Sequence, residues 1–218
     1  MKKLAFLSLL GAVAFTAQAS AAVITGVSAT ASSTVNGFDR GPAHTVDGSG
    51  YTAGTGFVST NPDGTMWLSN GNGALGGTPD ASPFIIFNLG SLYNVTSVSV
   101  WNYNETGNLN AGVKTGTLSY STNGVSYTTL GSPFTLGAAP GASNINFSQA
   151  LPLGVSAQFI EFSNLKNQVG DASGFVGLSE VVFSGAVPTP GVPEPASLLL
   201  LSAGLAGLAA GRARARAR

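Results

Sequence analysis

The chain has 218 residues, of which 8% are charged, 44% are hydrophobic, 30 are glycine and none is cysteine. The missing cysteine excludes a disulfide framework, a thiolate zinc site and a cysteine nucleophile, and so much apolar content with so little charge excludes a disordered chain. The formal net charge of zero hides an uneven distribution: Lys2, Lys3, Arg212, Arg214, Arg216 and Arg218 occupy the two ends, while between Val23 and Ala186 only Arg40, Lys114 and Lys166 stand against eight acidic residues, a net of −5.

That acidic body lacks the basic footprint of a nucleic-acid binder, so no nucleic-acid partner is expected. His44 is the only histidine, which excludes a catalytic triad or a multi-histidine metal centre.

The first element is a leader. "MKKLAFLSLLGAVAFTAQASAA" has a basic start, an apolar stretch from Leu4 to Phe15 and small residues after it. That is the pattern of a secretory signal peptide, over residues 1–21, with cleavage after Ala19 or Ala21. The apolar run is short for a membrane span of about 20 residues.

The body, residues 22–186, offers no amphipathic helix. It offers short β-rich runs divided by Gly, Pro, Asn and Asp. "PFIIFNLG" covers Pro83 to Gly90, and "YNVTSVSVWNY" covers Tyr93 to Tyr103. In the second run Val98, Val100 and Asn102 share one face, and Ser97, Ser99, Trp101 and Tyr103 share the other. Leu118 and Tyr120 share a face ahead of Asn123-Gly124, which is a hairpin signal because both residues tolerate positive φ. Ile160 pairs with Phe162, and Val181 with Phe183, leaving Glu180 on the opposite face. Many short strands over this length predict an all-β fold, an antiparallel β-sandwich.

A stiff Pro-rich linker follows at residues 187–192. The last segment, 193–218, opens on Pro193, Glu194 and Pro195. Pro195 suits the first turn of a helix but forbids one running through it. From Ala196 to Gly211 every residue is apolar or small except Ser197 and Ser202. Such a helix reaches roughly 24 Å, slightly under a hydrocarbon core, and the arginines beyond it favour the cytoplasmic side. A single C-terminal transmembrane helix is therefore expected.

The last 26 residues resemble the PEP-CTERM sorting signal: a Pro-Glu-Pro tripeptide, a short hydrophobic helix and an Arg-rich tail. The resemblance implies a Gram-negative bacterial protein exported through the inner membrane and held there by its C-terminal helix. An exosortase would then cut it near Pro193, Glu194 and Pro195, to act at the cell surface or in the biofilm matrix.

The body carries "ATASST…AHTVDG" from Ala29 to Gly48, "TMWLSN…SPFIIFNLGSLYNVTSVSVWNYNE" from Thr65 to Glu105, "LSYSTNGVSYTTL" and a closing "GLSEVVFSG". In that order these resemble the discoidin, or coagulation-factor type C, superfamily, which is galactose-binding-like and includes many bacterial carbohydrate-binding modules. The resemblance implies an eight-stranded jelly roll with ligand loops at one end. It departs from the family pattern at Asn88, at Asn123 and in the glycine-rich insertion from Ser49 to Gly64.

Relatives often hold Ca²⁺, and the matching positions here are Asp47, Thr65 and Glu180, a hard-oxygen set of the kind calcium takes. The alternative is an Asx turn at Asp47 and a surface acid at Glu180. In the "WNYNETGNLNAG" loop, Trp101, Tyr103, Asn104 and Glu105 are candidates for sugar contact through aromatic faces and amide or carboxylate hydrogen bonds; the alternative for both aromatics is packing against a neighbouring strand. Trp67 reads as core. No spacing marks two carboxylates as a hydrolytic pair, and no enzyme activity is expected. The implied function is a secreted, non-catalytic domain binding carbohydrate or exopolysaccharide. The rivals are a structural or adhesive matrix protein and, more remotely, a glycoside hydrolase or lyase.

Overall fold

A computed structural model describes residues 21–49, 63–71, 75–142, 145–171, 174–188, 202–205 and 212. The signal-peptide core and Pro193, Glu194 and Pro195 lie outside the described residues. The chain forms two compact units, Met1–Ala186 and Val187–Arg218. In the second unit residues 202–205 are helical. Among the described residues no helix is long and apolar enough to cross a membrane.

The first unit is built from β1 (Ala22–Val23), β2 (Ser28–Ala31), β3 (Trp67–Leu68), β4 (Ile85–Asn102), β5 (Val113–Ser121), β6 (Thr128–Thr129), β7 (Phe134–Thr135), β8 (Gln149–Asn167) and β9 (Gly177–Ala186). They form one nine-stranded sheet along the path β1-β9-β4-β8-β5-β6, with β2, β3 and β7 pairing β4, β9 and β5 off that path. Every named strand pair is antiparallel. Among the described residues there are nine strands where eight were expected, because several short pairings of only two residues are counted as strands.

β4 bends where its register shifts between Asn88 and Tyr93. Gly90 takes φ 83° there, a conformation open to glycine, and its N–H donates to Asn88 Oδ1 at 2.9 Å. An asparagine therefore serves at the position where relatives often carry aspartate. Ahead of the bend β4 pairs with β2, and beyond it with β9; β8 lies along both halves.

The two halves face each other. Phe87, before the bend, meets Phe183 of β9 edge-on at 5.2 Å and Phe162 of β8 at 5.3 Å, contacts worth about 0.5–1.5 kcal/mol each beyond their burial. The predicted inward residues Val98, Val100, Ile160, Phe162, Val181 and Phe183 are all buried in this core, with Trp67, whose Nε1 donates to Ser33 O at 3.0 Å. The fold is thus the expected antiparallel β-sandwich.

The Asn123-Gly124 expectation needs correction. β5 and β6 pair Tyr120 with Thr128, so the connection is longer than a two-residue hairpin. Only Gly124 of the two takes positive φ, at 72°. Asn123 instead accepts the N–H groups of Val125 and Ser126 at 2.9 and 3.0 Å, the local bonding that makes asparagine a turn residue.

Candidate functional site

Two concavities hold four of the seven candidate residues, Asp47, Trp101 and Glu180 in one and Glu105 in the other. The divergence begins at the end of β4. Asn102 is fully buried and uses its whole amide: Nδ2 donates to Val113 O and Gly137 O at 2.7 and 2.8 Å, and Oδ1 accepts from Tyr103 N and Val113 N at 2.9 and 2.8 Å. That satisfies all four of its hydrogen-bonding positions. The register against β9 shifts between Trp101 and Asn102, and the strict alternation expected from the sequence ends there.

Tyr103 is consequently not beside Trp101 on an outer face. It is fully buried in a small cluster with Val35, Met66 and Leu68. Gly177 makes this possible, since a Cβ there would lie 2.5 Å from Tyr103 Cδ2. The expected sugar platform at Tyr103 is therefore corrected: its ring presents no face to solvent. Its hydroxyl donates to Glu105 Oε2 at 2.6 Å and accepts from Arg40 Nη1 at 2.8 Å. Burial, reinforced by Glu105, pushes the phenol well above its ordinary range, so it stays protonated.

Arg40 also donates through Nε to Asp63 Oδ1 at 2.9 Å and through Nη1 to Glu105 Oε2 at 3.2 Å. Its guanidinium carbon lies 4.9 Å from the Phe38 ring centroid. Burial alone would lower the Arg40 pKa, but Asp63, Tyr103 and Glu105 raise it overall. Asn104 is fully buried; it accepts from Gly141 N at 2.8 Å and donates to Ala142 O at 3.2 Å. Asn104 thus anchors a loop, and of the four expected sugar contacts only Glu105 lines this cleft.

The cleft has a volume of about 330 Å³, and Arg40, Glu105, Asn108, Asn110, Asn167 and Phe175 are among its walls. Asn167 fastens the final loop: its Oδ1 accepts from Val169 N and Asp171 N at 3.2 and 3.0 Å, and its Nδ2 donates to Phe175 O at 3.4 Å. Phe175, half-buried, packs on the Tyr103 cluster. Sequence reasoning missed Arg40, Asn108, Asn110, Asn167 and Phe175. The available signals were Arg40 as one of three cations in the body and the two asparagines in the loop already singled out.

Trp101 belongs to the second concavity, a recess of about 450 Å³ walled by Val23–Val27, Val46–Gly48, Trp101 and Glu180–Val182. Trp101 and Glu180 are cross-strand partners. Glu180 faces away from Val181 and Phe183 as expected, yet it is only 4% exposed and is no surface acid. It accepts from the backbone N–H groups of Gly48 and Val181, and burial, with the nearby Asp47 charge, pushes its pKa up to about 8. Its Oε2 is buried with no hydrogen-bond partner.

Asp47 accepts from Ser49 N at 2.8 Å and lies 3.1 Å from His44 Nδ1, whose Nε2 lies 3.0 Å from Asp39 Oδ1. Burial works against the Asp47 carboxylate, but Ser49 and His44 lower its pKa overall. Asp47 and Glu180 are thus brought together. Thr65 is half-buried in the turn before β3 and is not in the recess wall.

A match to the F5/8 type C domain spans residues 28–178, and a match to the PEP-CTERM protein-sorting motif spans residues 191–215. The sorting motif marks the chain for export to the surface or beyond it. No curated protein is significantly similar in sequence. Among solved structures, the family 32 carbohydrate-binding module of NanJ from Clostridium perfringens, in complex with galactose, matches with a TM-score of 0.52 at 18% identity, over 75% of this chain and 98% of its own. CBM32-3 from a family 31 glycoside hydrolase of the same organism matches at 0.54 and 17% identity, over 76% and 94%. The C-terminal domain of a chitobiase from Bacteroides fragilis matches at 0.54 and 15% identity, over 78% and 100%. At these identities the likeness is one of fold. Modules of this kind are non-catalytic, though some lie within enzymes.

Proposed function

This chain belongs to the F5/8 type C domain family, and from that premise we propose that its body is a non-catalytic module that binds one unit of an exopolysaccharide in the Arg40–Glu105–Phe175 cleft. The observation that carries the reading is the composition of that cleft. A half-buried phenyl ring stands beside three asparagine side chains and a carboxylate already held in place from beneath. Sugars need both: an apolar wall for their C–H face and fixed polar groups for their hydroxyls. The volume lies at the lower end of small-ligand sites, roughly 300–1,000 Å³, which suits one sugar unit. Preorganisation by Tyr103 and Asn167 lowers the ordering cost of binding.

The sorting motif supports export, with an exosortase as the processing partner at Pro193, Glu194 and Pro195 and the C-terminal segment as a temporary hold on the inner membrane. Calcium belongs to the same proposal. Glu180 Oε2, buried without a partner and close to Asp47, is the kind of oxygen a hard cation satisfies. Among the described residues no three His, Asp or Glu side chains are grouped to hold a metal, so Asp47 and Glu180 would need backbone oxygens, with the Thr65 hydroxyl as the family-based candidate. When bound, Ca²⁺ would supply charge neutralisation between the Asp47 loop and β9.

The test is a glycan array probed with the exported protein, repeated for Phe175→Ala. Binding to a defined set of sugars that is lost in the variant supports the reading. Silence across the array, with and without Ca²⁺, overturns it.

A further inference from the structure

The charges around the cleft do not balance. Among the described residues Arg40 is the only cation in its wall, and its guanidinium is committed to Asp63 at 2.9 Å and Glu105 at 3.2 Å. Two carboxylates therefore already answer one positive charge before any ligand arrives. A third carboxylate stands beside the wall, next to Gly174. Asp171 lies in the loop fastened by Asn167, and its Oδ2 is 3.3 Å from the position a Cβ would take on Gly174, a residue of the cleft. The other two cations of the body do not offset this. Lys166 and Lys114 are exposed while their chain neighbours Asn167 and Val113 are buried, so they point to the opposite face of their strands.

The cleft is thus a concavity of negative sign with a low-dielectric rear wall, the arrangement that concentrates a field on an incoming charge. Phe175 adds an aromatic face, which attracts cations. We propose that this cleft selects its sugar by charge, taking a protonated amino-sugar unit in preference to a neutral one and rejecting uronate or sulfated units. The inference rests on the cleft being the sugar site. It goes beyond that reading by naming the chemical class: a polymer with free amino groups, such as a de-N-acetylated hexosamine polymer, rather than a polyanionic one.

The experiment uses the full exported protein and three oligosaccharides of equal length and linkage, made of galactosamine, N-acetylgalactosamine and galacturonate. Each is titrated calorimetrically at pH 6.5, at low salt and at high salt. The expected order of affinity is amine, then neutral, then uronate, with about a tenfold or larger span at low salt that contracts as salt screens the cleft. Asp171→Asn should narrow the amine-to-uronate ratio about threefold. Because the salt series is read on the unaltered protein, the result does not depend on the variant folding. Uronate bound as tightly as the amine, or an order insensitive to salt, overturns the charge selection while the sugar reading survives. Absence of binding by all three overturns both.

Discussion

Tyr103 and Glu105 meet side chain to side chain at 2.6 Å, and that contact joins the rear of the cleft to the hydrophobic interior. The phenol is buried; the carboxylate is the edge a ligand would touch. Tyr103→Phe keeps the ring and removes the hydroxyl that donates to Glu105 and accepts from Arg40. A buried charged pair that loses such a partner costs about 1–3 kcal/mol. Urea denaturation should show that loss, and calorimetry should show weaker sugar binding, because Glu105 and Arg40 are then less firmly oriented.

Phe175 tests the apolar wall. Phe175→Ala removes the partly buried aromatic ring in the cleft wall, and about tenfold in sugar affinity should go with it, equivalent to about 1.4 kcal/mol. Affinity electrophoresis against the array-positive polysaccharide reads the change.

The recess makes a pH prediction. The pKa of Glu180 stands at about 8, above its ordinary value of 4.5. The folded protein therefore holds a proton that the unfolded chain has released, and metal-free stability declines as pH rises from about 4.5 to about 8. The size is on the order of a few kcal/mol, since each unit of difference is about 1.36 kcal/mol. Glu180→Gln should flatten this profile and raise metal-free stability at pH 8.

Calcium should act in the opposite sense. It takes the deprotonated carboxylate, so millimolar Ca²⁺ at pH 8 should raise the melting temperature by mass action, and a chelator should reverse the gain. The same addition should do nothing to Glu180→Gln. Coincident melting curves for the unaltered protein with Ca²⁺ and with chelator would remove the metal from the account.

Gly177 tests the packing behind the cleft. Its missing side chain leaves room for Tyr103 Cδ2 and, 2.6 Å from the same position, for Trp67 O. Gly177→Ala has no flexible neighbour to displace on the backbone side, so a loss of about 1–3 kcal/mol is expected from overpacking. Thermal denaturation measures it directly.

The strands were legible because their chemistry is local. A period of two in Val98 and Val100, or in Val181 and Phe183, is written in consecutive residues and fixes which side faces the core. The burial of Glu180 was not legible, because the Asp47 loop that covers it comes from far upstream. Tyr103 was assigned to the wrong face for a related reason: one register shift after Trp101 reverses the pattern, and that shift depends on β9. Asn123 announced a turn correctly, yet its length was set by the pairing of Thr128 rather than by Asn-Gly. Arg40 and Phe175 lie at opposite ends of the body sequence and become neighbours only when the sheet folds over.

β1 lies against the last residues of β9, with Ala22 opposite Gly185, whereas Phe175 comes just before the first residue of that same 10-residue strand. At about 3.3 Å per residue, some 30 Å of strand separates the place where the backbone enters and leaves the body from the mouth of the Arg40–Glu105–Phe175 cleft. A bead, a surface or a fusion partner joined at either end of the body therefore grips it from behind. Immobilisation through the termini leaves the mouth unobstructed, and antibodies raised to the Ala22 edge should leave glycan capture intact.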